Sequence, residues 1–196
     1  MSTPHIHIVL GSTREGRLGE PVTRWFASIA EQRHDLTCEV VDLRDWDLPF
    51  LTTPVPPAMA PPTDPLTRRW GAKVEEADGY VLVTPEYNHG YPAALKNALD
   101  HVFHPWRRKP VSFVGYGGPG GGVRAVEQLR QVVVELEMVP LRHQVAIARA
   151  YMAFDDDGSL RDPWHDGDAT RLLDELAWWA QALHTARSGQ HEEVAS

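Results

Sequence analysis

Apolar and polar positions along the chain fall into short runs of two kinds. His5–Leu10 is a brief stretch rich in β-branched residues that stops at Gly11, the pattern of a strand. Val22, Trp25, Phe26 and Ile29 then recur at helical spacing. They predict a helix from about Pro21, a residue favoured in a first turn, to about His34. Leu36–Leu43 reads as a second strand and about Pro65–Ala77 as a second helix. Gly79–Thr84 is continuously apolar, as expected of a strand whose two faces are both covered by helices. A third helix follows at about Ala93–Phe103, then a strand at Pro110–Val114, a helix at Val123–Glu137 and a strand at Leu141–Ala148. The last helix spans Asp168–Arg187, with Leu172, Leu173, Leu176, Trp179 and Leu183 among its apolar residues. Ser188–Ser196 reads as a polar, frayed tail.

Strands alternating with helices predict an α/β three-layer sandwich, a five-stranded parallel sheet with helices on both faces. Right-handed crossovers leave few strand orders. One common order is the flavodoxin-like 2-1-3-4-5, and in that order a ligand lies beyond the C-terminal ends of strands one and three. With 196 residues the chain is expected to form a single domain over 1–187. Arg44–Pro65 interrupts the alternation with Pro49, Pro54, Pro56, Pro57, Pro61 and Pro62. A connection of that length in a compact domain is usually functional or mobile, and this one is a candidate substrate mouth.

Composition narrows the function classes. The formal net charge of -8 disfavours nucleic acid and anionic lipid as partners. Cys38 is the single cysteine, which excludes an intrachain disulfide or a multi-cysteine zinc site and reads as a buried structural thiol. No segment reaches the roughly 20 apolar residues of a membrane helix. No basic stretch followed by an apolar core opens the chain, so a cytoplasmic protein is expected.

The fold rule singles out three loops. Gly11-Ser12-Thr13-Arg14-Glu15-Gly16-Arg17 lies between the first strand and first helix. Converging backbone N–H groups, a helix N-terminus, the hydroxyls of Ser12 and Thr13 and the guanidinium forks of Arg14 and Arg17 suit a phosphate. Gly11 and Gly16 match the spacing of a nucleotide-hydrolysing P-loop. However, Arg17 replaces its lysine and Leu18 its magnesium-binding hydroxyl, so a bound monophosphate explains the loop better. Pro85-Glu86-Tyr87-Asn88-His89-Gly90-Tyr91-Pro92 follows the third strand. Two prolines stiffen it, Gly90 is expected to take a conformation other residues resist, and the aromatic faces suit a flat heteroaromatic ring.

Gly11–Arg14 together with Pro85–Asp100 (PEYNHGYPAALKNALD) resembles the NADPH-dependent FMN reductase family, which also includes quinone, chromate and azo-dye reductases. The resemblance covers about residues 5–150. It implies a flavodoxin-like fold, tightly bound FMN, a nicotinamide nucleotide (NADPH or NADH) as electron donor, and homodimers or homotetramers. By position, Ser12, Arg14 and Arg17 would hold the phosphate and ribityl side of FMN, and Pro85, Glu86, Tyr87, Asn88 and His89 would line its ring. Many members carry a serine or asparagine shortly after the arginine, where this chain has Gly16, Arg17 and Leu18.

The third loop, Gly115-Tyr116-Gly117-Gly118-Pro119-Gly120-Gly121-Gly122, satisfies the dinucleotide pattern G-x-G-x-x-G. It stands in the fourth unit, and the fifth strand ends in Ala148-Arg149 without the acidic residue a dinucleotide domain needs. In the resembling family, Gly115, Tyr116, Gly117 and Gly118 would instead let the backbone approach the flavin. His101 and His104 read as surface or packing residues, Asp155-Asp156-Asp157-Gly158 as a turn, and no metal site or catalytic side chain is expected. The cofactor carries the chemistry in such an enzyme, so none is required. The rival reading is an FMN-binding electron carrier without nicotinamide turnover. Seven tryptophans, with Trp46, Trp106 and Trp164 on expected surface elements, agree with an oligomer. The acceptor and the choice between NADPH and NADH are not legible.

Overall fold

The computed structural model describes residues 3–194. Five strands, β1 (His5–Leu10), β2 (Thr37–Asp42), β3 (Gly79–Pro85), β4 (Pro110–Tyr116) and β5 (Val139–Ile147), alternate with five helices. The helices are α1 (Gly19–Ala30), α2 (Pro65–Glu75), α3 (Ala93–Asp100), α4 (Val123–Glu135) and α5 (Trp164–Val194). All strand pairs are parallel and the order is β2-β1-β3-β4-β5. This is the parallel sheet that the alternation predicts, in the flavodoxin-like order that the resemblance implies.

The period of two divides the strand side chains between two cores. Ile6, Ile8, Val83 and Val114 pack with Val22 and Phe26 of α1 and with Leu172, Leu173 and Leu176 of α5. Val9, Tyr80, Leu82 and Phe113 pack on the other face with Trp70 and Val74 of α2, Leu95 and Leu99 of α3, and Leu129 and Val133 of α4. Every residue of β3 and β4 is buried, which is why these strands read as predominantly apolar runs. Cys38 is half-buried, and burial pushes its thiol up to about 12.

Several boundaries move for identifiable reasons. α1 starts at Gly19, with Pro21 still in the first turn where its missing N–H costs nothing. It ends at Ala30 because Gln32 and Arg33 donate to Ile29 and Ala30 in a tightened last turn. α2 begins as the sequence suggests, with Asp64 accepting from the Thr67 N–H at 2.8 Å. α5 starts four residues earlier than expected, because the Asp162 carboxylate accepts from the Trp164 N–H at 3.0 Å. The expected tail 188–196 continues α5 as far as Val194, and its last two residues lie outside the described range. Trp106, expected at the surface, is buried, its indole N–H donating to Leu99 O and its ring edge-on to Tyr80 at 4.8 Å. Asp155–Gly158 is a turn, closed by Gly158 N–H to Asp155 O at 2.9 Å.

Candidate functional site

The strand order reverses direction between β1 and β3, so a crevice opens beyond their C-terminal ends. Hydrogen bonds tie the three predicted loops together there. Ser12 Oγ lies 2.7 Å from the Tyr87 hydroxyl, joining the first loop to the second. Glu86 N–H donates to Tyr116 O at 3.0 Å, joining the second to the third.

The first loop presents an anion-binding geometry. Gly11 N–H continues the sheet by donating to Val83 O at 2.9 Å. A Cβ on Gly11 would sit 3.0 Å from both Val83 O and Leu95 Cδ2, so a side chain here would crowd the β3 backbone. Ser12 is buried, whereas Thr13 and Arg14 are exposed, and the Arg14 guanidinium lies 5.4 Å from the Tyr87 ring centroid. α1 begins with no side-chain hydrogen bond from its N-cap, Leu18. Its first N–H groups thus keep their donor capacity and their partial positive charge.

Arg17 departs from expectation. Its side chain is only 2% exposed and turns inward. Both ends of its fork meet Asp42, its Nε donates to Glu20 Oε1 at 3.1 Å, and Nη1 donates to Ser12 O. Burial alone would pull the Arg17 guanidinium down, but Asp42 and Glu20 hold it above its ordinary value. Burial likewise works against the Asp42 carboxylate, and the hydrogen bonds from Arg17 hold it below the usual range. Arg17 therefore props the loop from beneath instead of offering its fork to a phosphate.

In the second loop, Tyr87 and Gly90 exchange backbone hydrogen bonds at 2.8 and 3.1 Å around Asn88 and His89. Asn88 and His89 take the left-handed conformation, with φ of 50° and 77°. Gly90, expected to do so, does not, and a Cβ there would meet only the flexible end of the Gln128 side chain, Oε1 at 3.1 Å. The exposed face of this turn is formed by Asn88 and His89. The Glu86 carboxylate is 7% exposed, pairs with the Arg124 guanidinium and accepts from Arg124 N–H at the start of α4. Glu86 contributes backbone to the crevice, not a free carboxylate.

The third loop is anchored to the end of β5, with Gly117 N–H on Ile147 O and Arg149 N–H on Gly118 O. Gly122 has φ of 85°, and a Cβ there would lie 2.5 Å from Tyr116 N. Gly118 is exposed, leaving bare backbone at the crevice. The Tyr116 ring points into the α1–α5 core, where burial pushes its phenol above the ordinary value. Its hydroxyl is buried without a hydrogen-bond partner among the described residues.

Sequence reasoning missed the anchors of the proline-rich segment. Asn97 Nδ2 donates to Leu48 O and Pro49 O at 3.1 and 2.9 Å, and its Oδ1 accepts from Leu51 N–H at 3.2 Å. His101 bridges Pro49 O at 2.8 Å and Thr67 Oγ1 at 3.0 Å. The available signal was a polar residue on the buried side of a short apolar helix. A depression of about 300 Å³ lies between these anchors and the first loop, bordered by Thr13, Arg44, Leu48 and Asn97.

These features fit FMN. Uncapped helix donors, two hydroxyls and one exposed guanidinium suit a phosphate. A rigid turn and a side-chain-free glycine backbone suit a flat ring. Similar proteins point the same way. The chain is 44% identical over 138 residues to an NAD(P)H-dependent FMN reductase of Schizosaccharomyces pombe, covering 69% of this chain and 68% of the relative. It is 33% identical to an NAD(P)H-dependent FMN reductase of a Nectria species, covering 87% and 94%. It is 32% identical to a quinone reductase of Pseudomonas putida, covering 80% and 84%. Among solved structures, the flavoenzyme NAD(P)H:acceptor oxidoreductase FerB of Paracoccus denitrificans shares the fold with a TM-score of 0.73 at 24% identity, covering 91% and 98%. The sequence pattern described as NADPH-dependent FMN reductase matches residues 4–151. That span takes in every strand and all three loops, and the chain therefore belongs to the NADPH-dependent FMN reductase family.

Proposed function

We propose that this protein is an NAD(P)H-dependent FMN oxidoreductase of the quinone-reductase type, acting as a homodimer or homotetramer in the cytoplasm. The carrying observation is the meeting of three loops at the switch point of the sheet, with the N-terminus of α1 uncapped beneath them. When bound, FMN supplies the hydride and electron chemistry between a nicotinamide nucleotide and an acceptor. The protein supplies binding and orientation. The backbone from Gly11 to Thr13, the Ser12 and Thr13 hydroxyls and Arg14 hold the phosphate, while Arg17 keeps the Ser12 carbonyl turned inward. Pro85, Tyr87, Asn88 and His89 form the ring platform, and the backbone of Gly115 to Gly118 closes its edge. No side chain here is required to act as an acid, base or nucleophile.

The exposed Phe50 and Met59 of the proline-rich segment offer an apolar mouth suited to a flat acceptor such as a quinone. Exposed Trp164 and Trp178 support self-association, and among the described residues no helix is long and apolar enough to cross a membrane. Titration with FMN, followed by anaerobic addition of NADPH or NADH, tests the function. Micromolar or tighter binding and bleaching of the flavin absorbance are expected. Binding without bleaching would make the protein a carrier. Sedimentation as a monomer at micromolar concentration would refute the oligomer.

A further inference from the structure

The far end of the sheet holds a second constellation. His5 and His7 are two apart on β1, so both side chains lie on one face. The parallel register sets His7 opposite Glu39 and His5 opposite Thr37. Glu39 Oε2 is 3.6 Å from His5 Nε2 and 3.8 Å from His7 Nε2, and one ligand atom from each of the three residues lies within 4.8 Å of the others. These separations are too long for hydrogen bonds. They are close to the roughly 3.4 Å between ligand atoms around a tetrahedral zinc with bonds of about 2.0–2.1 Å.

Two further observations point to a cation. His7 is 1% exposed and its Nε2 has no hydrogen-bond partner among the described residues, although it is aimed at the carboxylate. Such a buried polar atom is costly unless something satisfies it. The His5 tautomer is also set from outside. Thr37 Oγ1 lies 3.4 Å from Pro4 O and 3.0 Å from His5 Nδ1, and with its proton directed at Pro4 O it accepts from His5 Nδ1–H. That leaves the Nε2 lone pair facing inward, the outer-shell arrangement typical of metal-ligating histidines.

We propose that His5, His7 and Glu39 form a binding site for a divalent transition cation that favours imidazole, zinc above all, clamping β1 to β2. Three protein ligands leave a fourth position for water. Partial exposure of His5 and Glu39 provides the entry path. The Lys73 ammonium lies 2.8 Å from Glu39 Oε1, donates at 3.0 Å to Oε2, the oxygen that faces the histidines, and also pairs with Glu76 at 2.7 Å. It occupies the carboxylate as a competing cation and can retain Glu76 when a metal arrives. His7, the nearest of the three to the crevice along the strand, is four residues, roughly 13 Å, before Gly11, so the site is separate from the crevice.

Calorimetric titration of chelator-treated, tag-free full-length protein with Zn²⁺, paralleled by Co²⁺ absorption, tests the site. One equivalent with micromolar or tighter affinity and tetrahedral Co²⁺ bands are expected. His5→Ala and Glu39→Gln, both at partly exposed side chains, should each weaken binding at least about tenfold, and Thr37→Val by about tenfold through the outer shell. Lys73→Met should strengthen it. Absence of binding, or binding that survives both His5→Ala and Glu39→Gln, overturns the proposal. Binding seen only after Lys73→Met overturns it too, since Lys73 would then exclude the cation.

Discussion

The pair Arg17–Asp42 governs both stability and the shape of the first loop, and Asp42→Asn isolates its charge. The substitution keeps an oxygen that can still accept from Arg44 N–H, as Asp42 Oδ1 does at 2.9 Å. It leaves the guanidinium, with its side chain 2% exposed, without its main counter-charge. Breaking a buried pair from one side costs about 3–5 kcal/mol. The lower end, about 3 kcal/mol, applies because Asp42 keeps 23% exposure and Glu20 remains on Arg17 Nε. With a urea slope of about 2 kcal/mol/M, the unfolding midpoint falls by about 1.5 M. Tryptophan fluorescence of the FMN-free protein reads it. Arg17→Met in the same background removes the stranded charge, so the double variant should be more stable than Asp42→Asn alone. The pH dependence has a definite sign. Asp42 sits below its unfolded value of about 3.9, so its contribution is present above that pH and is lost as pH falls through the lower folded value. The gap between wild type and Asp42→Asn should therefore close on acidification. A cost under 1 kcal/mol, additive single and double variants, or a gap undiminished in acid would refute this account.

Other outcomes follow from the crevice. Arg14→Ala should weaken FMN about tenfold to hundredfold, the worth of a charge-assisted contact of roughly 1.5–3 kcal/mol, while riboflavin barely changes; equal losses would place Arg14 away from the phosphate. Gly122→Ala forces a left-handed alanine and a 2.5 Å approach to Tyr116 N, so a loss of at least about 1–3 kcal/mol is expected in thermal unfolding. Unchanged stability would show that the third loop is free to move. If donor and acceptor share one mouth, initial rates with NADPH and a quinone varied should give parallel double-reciprocal lines, and intersecting lines would require two separate sites.

The strands and loops of this protein are legible in its sequence because their causes are local. β3 and β4 are buried throughout and mostly apolar since helices cover both their faces, and glycines mark two of the three turns where backbone meets backbone. The alternation of elements and the handedness of crossovers narrow the strand order to a few, of which the sheet takes β2-β1-β3-β4-β5. Local pattern is silent, however, about where a side chain turns once partners arrive from afar. Arg17 looks like a phosphate fork until β2 brings Asp42, 25 residues on, beneath the loop. Glu86 looks like a ring contact until α4 presents Arg124. Asn97 and His101 look like ordinary helix residues until Pro49 folds back over them. His5, His7 and Glu39 are joined only by the β1–β2 register. The sequence alone determined the α/β alternation and the donor-rich loops, because periodicity and glycine act within a few residues. Only the tertiary structure decided which charges face the crevice and which are spent inside, because burial and ion pairing depend on neighbours tens of residues apart along the chain.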